Sequence, residues 1–320
     1  VNGTGFGLTM GIHTRIEQRA IELAKLSRAG NVYINRNMIG AVVGVQPFGG
    51  RGLSGTGPKA GGADYLRNLF VRVGDSQLKK PLFEDGSNYE PVISRSASSD
   101  HFIRREKMLT ALDEIISNFG PLFPGTFGEQ RHALQELKKW LEIDYFEILN
   151  SGRDNRYIPG QVNYSVFGAT KDRAIYLSLN EEINMQTFFA ALMALTAGTG
   201  ITVLCSNASA YRWWNYLIDI LKKNRFSKKN IDCYFVGRDK IIEVLSNNLD
   251  VVICDADEQA IKEFNAIQGA SNGQECMTTF ISPLENTTSG HYFDLFHLFS
   301  CERSYAVNTM RHGAPMELES

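Results

Sequence analysis

The chain has 320 residues, 43% of them hydrophobic and 21% charged, with a formal net charge of −2. That composition belongs to a folded globular protein with room for two ordinary domains. It excludes a basic nucleic-acid binder and an acidic tail. No apolar run reaches the roughly 20 residues of a membrane-spanning helix.

In chain order, residues 1–74 read as strand, helix, strand, a long Gly-rich loop and a strand. Residues 8–12 are short and apolar. A stripe of Ile16, Ala20, Leu23, Ala24 and Leu26 has helical spacing, stopped by Gly30, and 32–34 is a second strand. Glycine dominates 35–62, and 65–73 reads as an edge or pairing strand with Arg67 and Arg72 towards solvent. The opening Val1-Asn2-Gly3 has no initiator Met and runs almost at once into a strand, so a segment of a longer chain is expected.

Residues 75–100 are polar and rich in Ser, Asp and Pro, the composition of a linker. Helical patterns follow at 101–119 and 128–141. Strand candidates at 173–179, 201–205, 231–236 and 250–254 then alternate with helices at 183–197, 209–223 and 238–247. This order predicts an α/β fold with a Rossmann-like, doubly wound parallel sheet. A further helix after 257, a strand at 277–282, a helix at 291–299 and a strand at 303–308 complete the pattern.

The five cysteines, Cys205, Cys233, Cys254, Cys276 and Cys301, form no CxxC pair. A reduced, cytoplasmic protein is the expectation. The histidines are isolated, which argues against a metal site. His13 is expected to be structural. Gly55-Thr56-Gly57-Pro58-Lys59-Ala60 fits a loose GxGxxA pattern but opens no helix, so it is not a dinucleotide fingerprint. A tight Gly-containing turn in such a loop can present backbone N–H groups to a carboxylate without side-chain bulk.

The blocks Gly7-Leu8-Thr9-Met10-Gly11-Ile12 and Ala29-Gly30-Asn31-Val32-Tyr33-Ile34-Asn35-Arg36-Asn37, and the run Gln46-Pro47-Phe48-Gly49-Gly50, resemble the end of an aldehyde dehydrogenase catalytic domain. With Gly52-Leu53-Ser54-Gly55-Thr56-Gly57-Pro58-Lys59-Ala60-Gly61-Gly62 they resemble the glutamate-semialdehyde dehydrogenase branch found in the proline utilization A family. The resemblance implies that Gly40 and Ala41 belong to the loop anchoring the substrate's α-carboxylate, and that Phe48 packs on its aliphatic part. It also implies a bifunctional parent that oxidises proline with FAD and glutamate semialdehyde with NAD. An upstream dehydrogenase module would then be the partner, in a possible homo-oligomer, with glutamate semialdehyde as the parent's substrate.

The resemblance further divides the chain into a catalytic-domain tail with a β-arm (1–74), a linker (75–100) and a degenerate, non-catalytic aldehyde-dehydrogenase-like domain acting as a cap (101–320). No catalytic residue, bound cofactor or metal is expected in this chain. The family's catalytic Cys lies upstream, and residues 1–74 contain no cysteine. In the second half, Cys205 stands where the family has the Lys that grips the adenosine ribose, and Asp255 and Asp257 fall at the pyrophosphate turn, where they would repel it. Asn272-Gly273-Gln274-Glu275-Cys276 echoes the family's nucleophile motif, but Glu275 disfavours a thiolate. Met310-Arg311-His312-Gly313-Ala314-Pro315 departs from the family's C-terminal signature. The alternative is an independent nucleotide-binding or enzymatic module in 101–320. Under the capping reading, strand 65–73 is expected to pair with the second domain.

Overall fold

The computed structural model describes residues 1–39, 41–42, 45–55, 58–62, 65, 99–123, 128–145, 160–169, 173–246, 249, 251–271, 279–281, 292–308, 310–311 and 314–315. In chain order the elements are β1 (Phe6–Gly7), β2 (Thr9–Ile12), α1 (Glu17–Leu26), β3 (Asn31–Ile34), β4 (Arg51–Gly52), α2 (Ser99–Ser117), α3 (Phe119–Leu122) and α4 (Glu129–Glu142). They continue with β5 (Gln161–Ala169), β6 (Arg173–Ser178), α5 (Met185–Ala197), β7 (Gly200–Cys205), α6 (Ala208–Lys223), β8 (Ile231–Phe235), α7 (Arg238–Leu245) and β9 (Val251–Asp255). The last are α8 (Glu258–Ser271), β10 (Thr279–Ile281), α9 (Tyr292–Phe299), β11 (Ser300–Asn308), β12 (Met310–Arg311) and β13 (Ala314–Pro315). Among the described residues no helix is long and apolar enough to cross a membrane.

The chain divides into two compact units, one of residues 1–98, 148–168 and 301–320, the other of 99–147 and 169–300. This division cuts across the expected 101–320 segment, because two of its strands join the N-terminal residues. The expected arm strand 65–73 falls outside the described residues except for Tyr65, and the expected linker does so except for Ser99 and Asp100, which open α2.

In the first unit a four-stranded sheet has the order β2-β3-β11-β5. β3 is central, parallel to β2 (Met10↔Val32) on one side and to β11 (Tyr305↔Val32) on the other. All four β3 residues are buried. α1 crosses between β2 and β3 and buries only Ala20 and Ala24, whose small side chains let the helix lie close against Val32, Ile34 and Tyr305. Ile16, Leu23 and Leu26 are exposed, so the buried stripe is narrower than the apolar spacing predicts.

The second unit holds a five-stranded parallel sheet of order β10-β9-β6-β7-β8. Counted from β6 this is the 5-4-1-2-3 arrangement of a doubly wound fold. α7 and α8 cover the face that carries Leu177, Leu204, Val252 and Cys254. On the opposite face Trp214 of α6 donates to Ser178 Oγ at 3.0 Å and meets the Tyr176 ring edge-on at 4.7 Å. α5 is apolar all round, with ten buried residues, because it lies against the sheet as well as α2 and α9. Each large side chain so buried contributes roughly 1.5–3 kcal/mol. Gly198 ends α5 with φ 101°, and a Cβ there would meet the Arg104 guanidinium at 3.0 Å, so both conformation and space select glycine.

Candidate functional site

The Gly-rich loop of the first unit is held by one buried side chain. Asn31 opens β3 and is 1% exposed. Its Nδ2 donates to the Pro47 carbonyl at 2.9 Å, and its Oδ1 accepts from Gly49 N at 3.1 Å and from Lys59 Nζ at 2.9 Å. Lys59, itself buried, also donates to the Gly30 carbonyl. Phe48, between the two pinned residues, exchanges backbone hydrogen bonds with Ala60, each of 2.9 Å. A Cβ on Gly30 would lie 2.0 Å from the Gly49 carbonyl oxygen, so the loop can close on β3 only over a glycine. The Phe48 side chain is left half-buried on a backbone fixed from both sides.

Of the loop residues singled out in the sequence, Gly40 lies outside the described residues, and Ala41 is half-buried in the segment after β3. Next to it, Val42 N donates to Gln46 Oε1 at 3.3 Å, and the Val42 carbonyl accepts from Val45 N and Gln46 N, each at 3.0 Å. Gln46 Nε2 donates to Asn163 Oδ1 of β5 at 2.7 Å, and Gln161 Nε2 donates to the same oxygen. Arg36 donates to Gln161 and lies over the Tyr33 ring. Sequence reading missed this polar chain, because no local pattern tells that Asn163 is next to Gln46. His13 is exposed at the end of β2.

In the second unit a cleft of about 220 Å³ opens at the carboxyl ends of the strands, lined by Asn180 after β6, Ser206 after β7, Asp257 after β9, and Arg238, Ile241 and Phe264. In an open α/β sheet ligands bind at this edge, with phosphate at the N-terminus of the helix after the first strand. Here the N–H groups of Asn184, Gln186 and Thr187 are already taken. Asn184 caps α5, its side chain accepting from Gln186 N at 2.9 Å and Thr187 N at 3.4 Å. Asn184 N itself donates to Asp255 Oδ2 at 2.9 Å. Asp255 is fully buried and also accepts from Asn180 Nδ2 at 2.9 Å and from the Tyr176 hydroxyl at 3.3 Å. The sequence suggested two acids facing a pyrophosphate. The structure instead turns Asp255 inward as a buried carboxyl group, while Asp257 is exposed and caps α8 through Ala260 N at 2.8 Å. Glu181 and Glu182 add exposed negative charge to the β6–α5 turn.

Burial raises the Asp255 carboxyl above the ordinary carboxylate range, against the lowering effect of hydrogen bonds from Asn184, Asn180 and Tyr176. A carboxyl raised by folding contributes its stability at pH below the unfolded value and loses it as pH climbs through the folded value. Asp255→Asn is therefore expected to gain stability relative to the parent chain as pH rises from the ordinary carboxylate range to neutrality. Denaturant midpoints measured for both proteins across that window check the sign; a variant that loses stability relative to the parent towards neutral pH contradicts it.

Cys205 ends β7 and is buried, and Cys276 lies outside the described residues. Among the described residues no cluster of three or more His, Cys, Asp or Glu side chains is placed to hold a metal ion.

The family model described as "Aldehyde dehydrogenase family" matches residues 1–72. The Bifunctional protein PutA of Escherichia coli (strain K12) is 52% identical over 89 residues, which cover 28% of this chain and 7% of that protein. The 1-pyrroline-5-carboxylate dehydrogenase 2 of Bacillus subtilis (strain 168) is 52% identical over 66 residues, covering 20% of this chain and 13% of that enzyme. Among solved structures, Proline Utilization A from Corynebacterium freiburgense aligns with 98% of this chain and 24% of its own at 22% identity, with a TM-score of 0.48. The match thus spans a small fraction of each curated relative's length. Within this chain, residues 1–72 are a PutA-like region of the aldehyde dehydrogenase family.

Proposed function

We propose that this chain belongs to a bifunctional proline-catabolic oxidoreductase and supplies the C-terminal part of its aldehyde site, where glutamate semialdehyde is oxidised to glutamate. The observation that carries the reading is the pinned Pro47-Phe48-Gly49 segment, held by Asn31 and Lys59 inside a region 52% identical to PutA. Phe48 packs on the aliphatic part of the substrate, and backbone N–H groups at Gly40 and Ala41 receive its α-carboxylate. NAD and FAD act in the parent protein. The nucleophile and the cofactor contacts come from an upstream dehydrogenase module, since residues 1–74 carry no cysteine. The working enzyme is cytoplasmic and assembles as a homo-oligomer.

In this reading the second unit is a structural, capping member of the same superfamily that does not take NAD. Support comes from the internal carboxylate at the N-terminus of α5 and from Cys205 at the ribose-gripping position. A second reading, an independent ligand-binding module, is favoured by the cleft at the carboxyl ends of the strands.

The aldehyde-site proposal is tested by replacing the homologous segment of the full-length E. coli PutA protein with residues 3–72 of this chain. The chimera is expected to keep glutamate-semialdehyde dehydrogenase activity. Phe48→Ala within it is expected to raise KM for the aldehyde about tenfold or more, through roughly 1.4 kcal/mol or more of lost apolar contact. A folded chimera without activity, or a Phe48→Ala chimera with unchanged KM, overturns the assignment.

A further inference from the structure

The pairing of Cys205 with Cys233 plays no part in the aldehyde-site reading. They lie on neighbouring parallel strands, β7 and β8, where Cys205 is opposite Phe235 and Cys233 opposite Val203. The offset is two residues, so both side chains project from the same face of the sheet. Their Sγ atoms are 3.6 Å apart. α6 closes over this face, with Trp214 donating to Ser178, the β6 residue in register with Cys205, and Tyr211 meeting the Phe235 ring at 5.8 Å. Cys205 is fully buried and Cys233 half-buried. Cys254 is in register with Leu177, hence on the other face of the sheet under α7 and α8, and cannot compete as a partner.

We propose that Cys205 and Cys233 form an oxidation site, converted by peroxide to a disulfide that ties the edge strand β8 to β7. The order of events follows from exposure. The hydrogen bond with Cys233, together with burial, holds the Cys205 thiol well above its usual pKa, so Cys205 is not the first to react. The half-buried Cys233 meets the oxidant. Its sulfur attacks one oxygen of hydrogen peroxide, the O–O bond breaks, and water leaves, giving Cys233 sulfenic acid. The Cys205 sulfur then attacks the Cys233 sulfur, the S–O bond breaks, and the thiol proton leaves with hydroxide as a second water. Two thiols are oxidised by two electrons, and one peroxide becomes two waters.

A disulfide has an S–S separation of about 2.05 Å, so the two strands must close by about 1.5 Å at the sulfurs. β8 can make that movement because, among the described strands, it is the last of the sheet and bonded only to β7. Tyr234 and Phe235 at its end are 52% and 56% exposed, so that end of the strand is only lightly packed. The bond would fasten an otherwise half-free edge beside Ser206, which lines the cleft.

The test uses the full chain, treated with hydrogen peroxide and then digested with trypsin without reductant. The expected product joins peptide 174–212, which carries Cys205, to peptide 230–238, which carries Cys233. Its mass is the sum of the two less two hydrogen atoms, and dithiothreitol splits it. Reduced and oxidised chains compared by denaturation are expected to show a higher midpoint for the oxidised one. In Cys205→Ser, Cys233 is expected to stop at the sulfenic acid and to be trapped by a 1,3-dione reagent. A wild-type map in which Cys233 is oxidised to sulfinic or sulfonic acid while Cys205 stays a free thiol overturns the proposal. So does a map in which Cys233 is joined to Cys254, Cys276 or Cys301. The wild-type map decides the matter whether or not the variant folds.

Discussion

Replacing Trp214 by Ala is expected to destabilise the second unit by about 3–5 kcal/mol. The side chain is fully buried, its ring contacts Tyr176 at 4.7 Å and Trp213 at 5.1 Å, and its Nε1 donates to Ser178 Oγ at 3.0 Å. Removing it leaves a cavity between α6 and the middle of the sheet and strips the buried Ser178 hydroxyl of a donor. Trp214→Phe keeps most of the apolar volume and loses the hydrogen bond, so its cost is expected to be about half. Equilibrium denaturation followed by tryptophan fluorescence reads both changes. A Trp214→Ala loss under about 1 kcal/mol would show that α6 is not anchored where the structure places it.

Arg303 is expected to have an effect of similar size in the first unit. Its guanidinium enters from β11 and donates to the carbonyls of Ala24, Lys25, Ser27 and Ala29, at and just beyond the C-terminal end of α1. Helix-end carbonyls lack intrahelical partners and carry the negative end of the helix dipole, so a buried cation with several N–H groups matches them in charge and number. The side chain is 7% exposed, so water cannot replace it in full. Arg303→Met leaves buried acceptors unpaired and is expected to cost about 3–5 kcal/mol. Arg303→Lys restores the charge without the fork and is expected to recover less than half of the loss. With two units in one chain a single melting temperature is ambiguous. Amide hydrogen exchange in α1, β2 and β3 is the better measurement, and protection lost there while β6 and β7 stay protected is the expected pattern.

Much of the second unit is legible in the sequence, for a physical reason. Each strand of a parallel sheet buried on both faces is a short apolar run, and the first two crossover helices open on the caps Asn184 and Asn207. The runs at 173–179, 201–205 and 231–236 therefore match β6, β7 and β8 within a residue at each end. β5 was not legible. Val162, Tyr164 and Val166 alternate as a strand should, but Asn163, Ser165 and Gly168 lower the β-propensity of the run. Membership of a sheet is also non-local. Nothing near Tyr305 in the sequence says that it will pair with Val32, some 270 residues earlier.

The same distinction holds for the site. Phe48 stands out because its motif is contiguous. Asn163, which holds Gln46, does not, because the contact exists only once β5 joins the sheet. Asp255 shows a third case. The residue was legible, but its direction was not. An acid at the end of a strand could face solvent or core, and only the arrangement of Tyr176, Asn180 and Asn184 settles that it faces in.

That inward carboxylate is the pivot of the account, since it fills the place where a dinucleotide fold receives phosphate. Calorimetric titration of NAD into the full chain tests it most directly. No saturable binding with a dissociation constant at or below about 100 μM, roughly −5.5 kcal/mol, is expected. A one-to-one isotherm tighter than that would contradict it and restore the second unit as a cofactor domain.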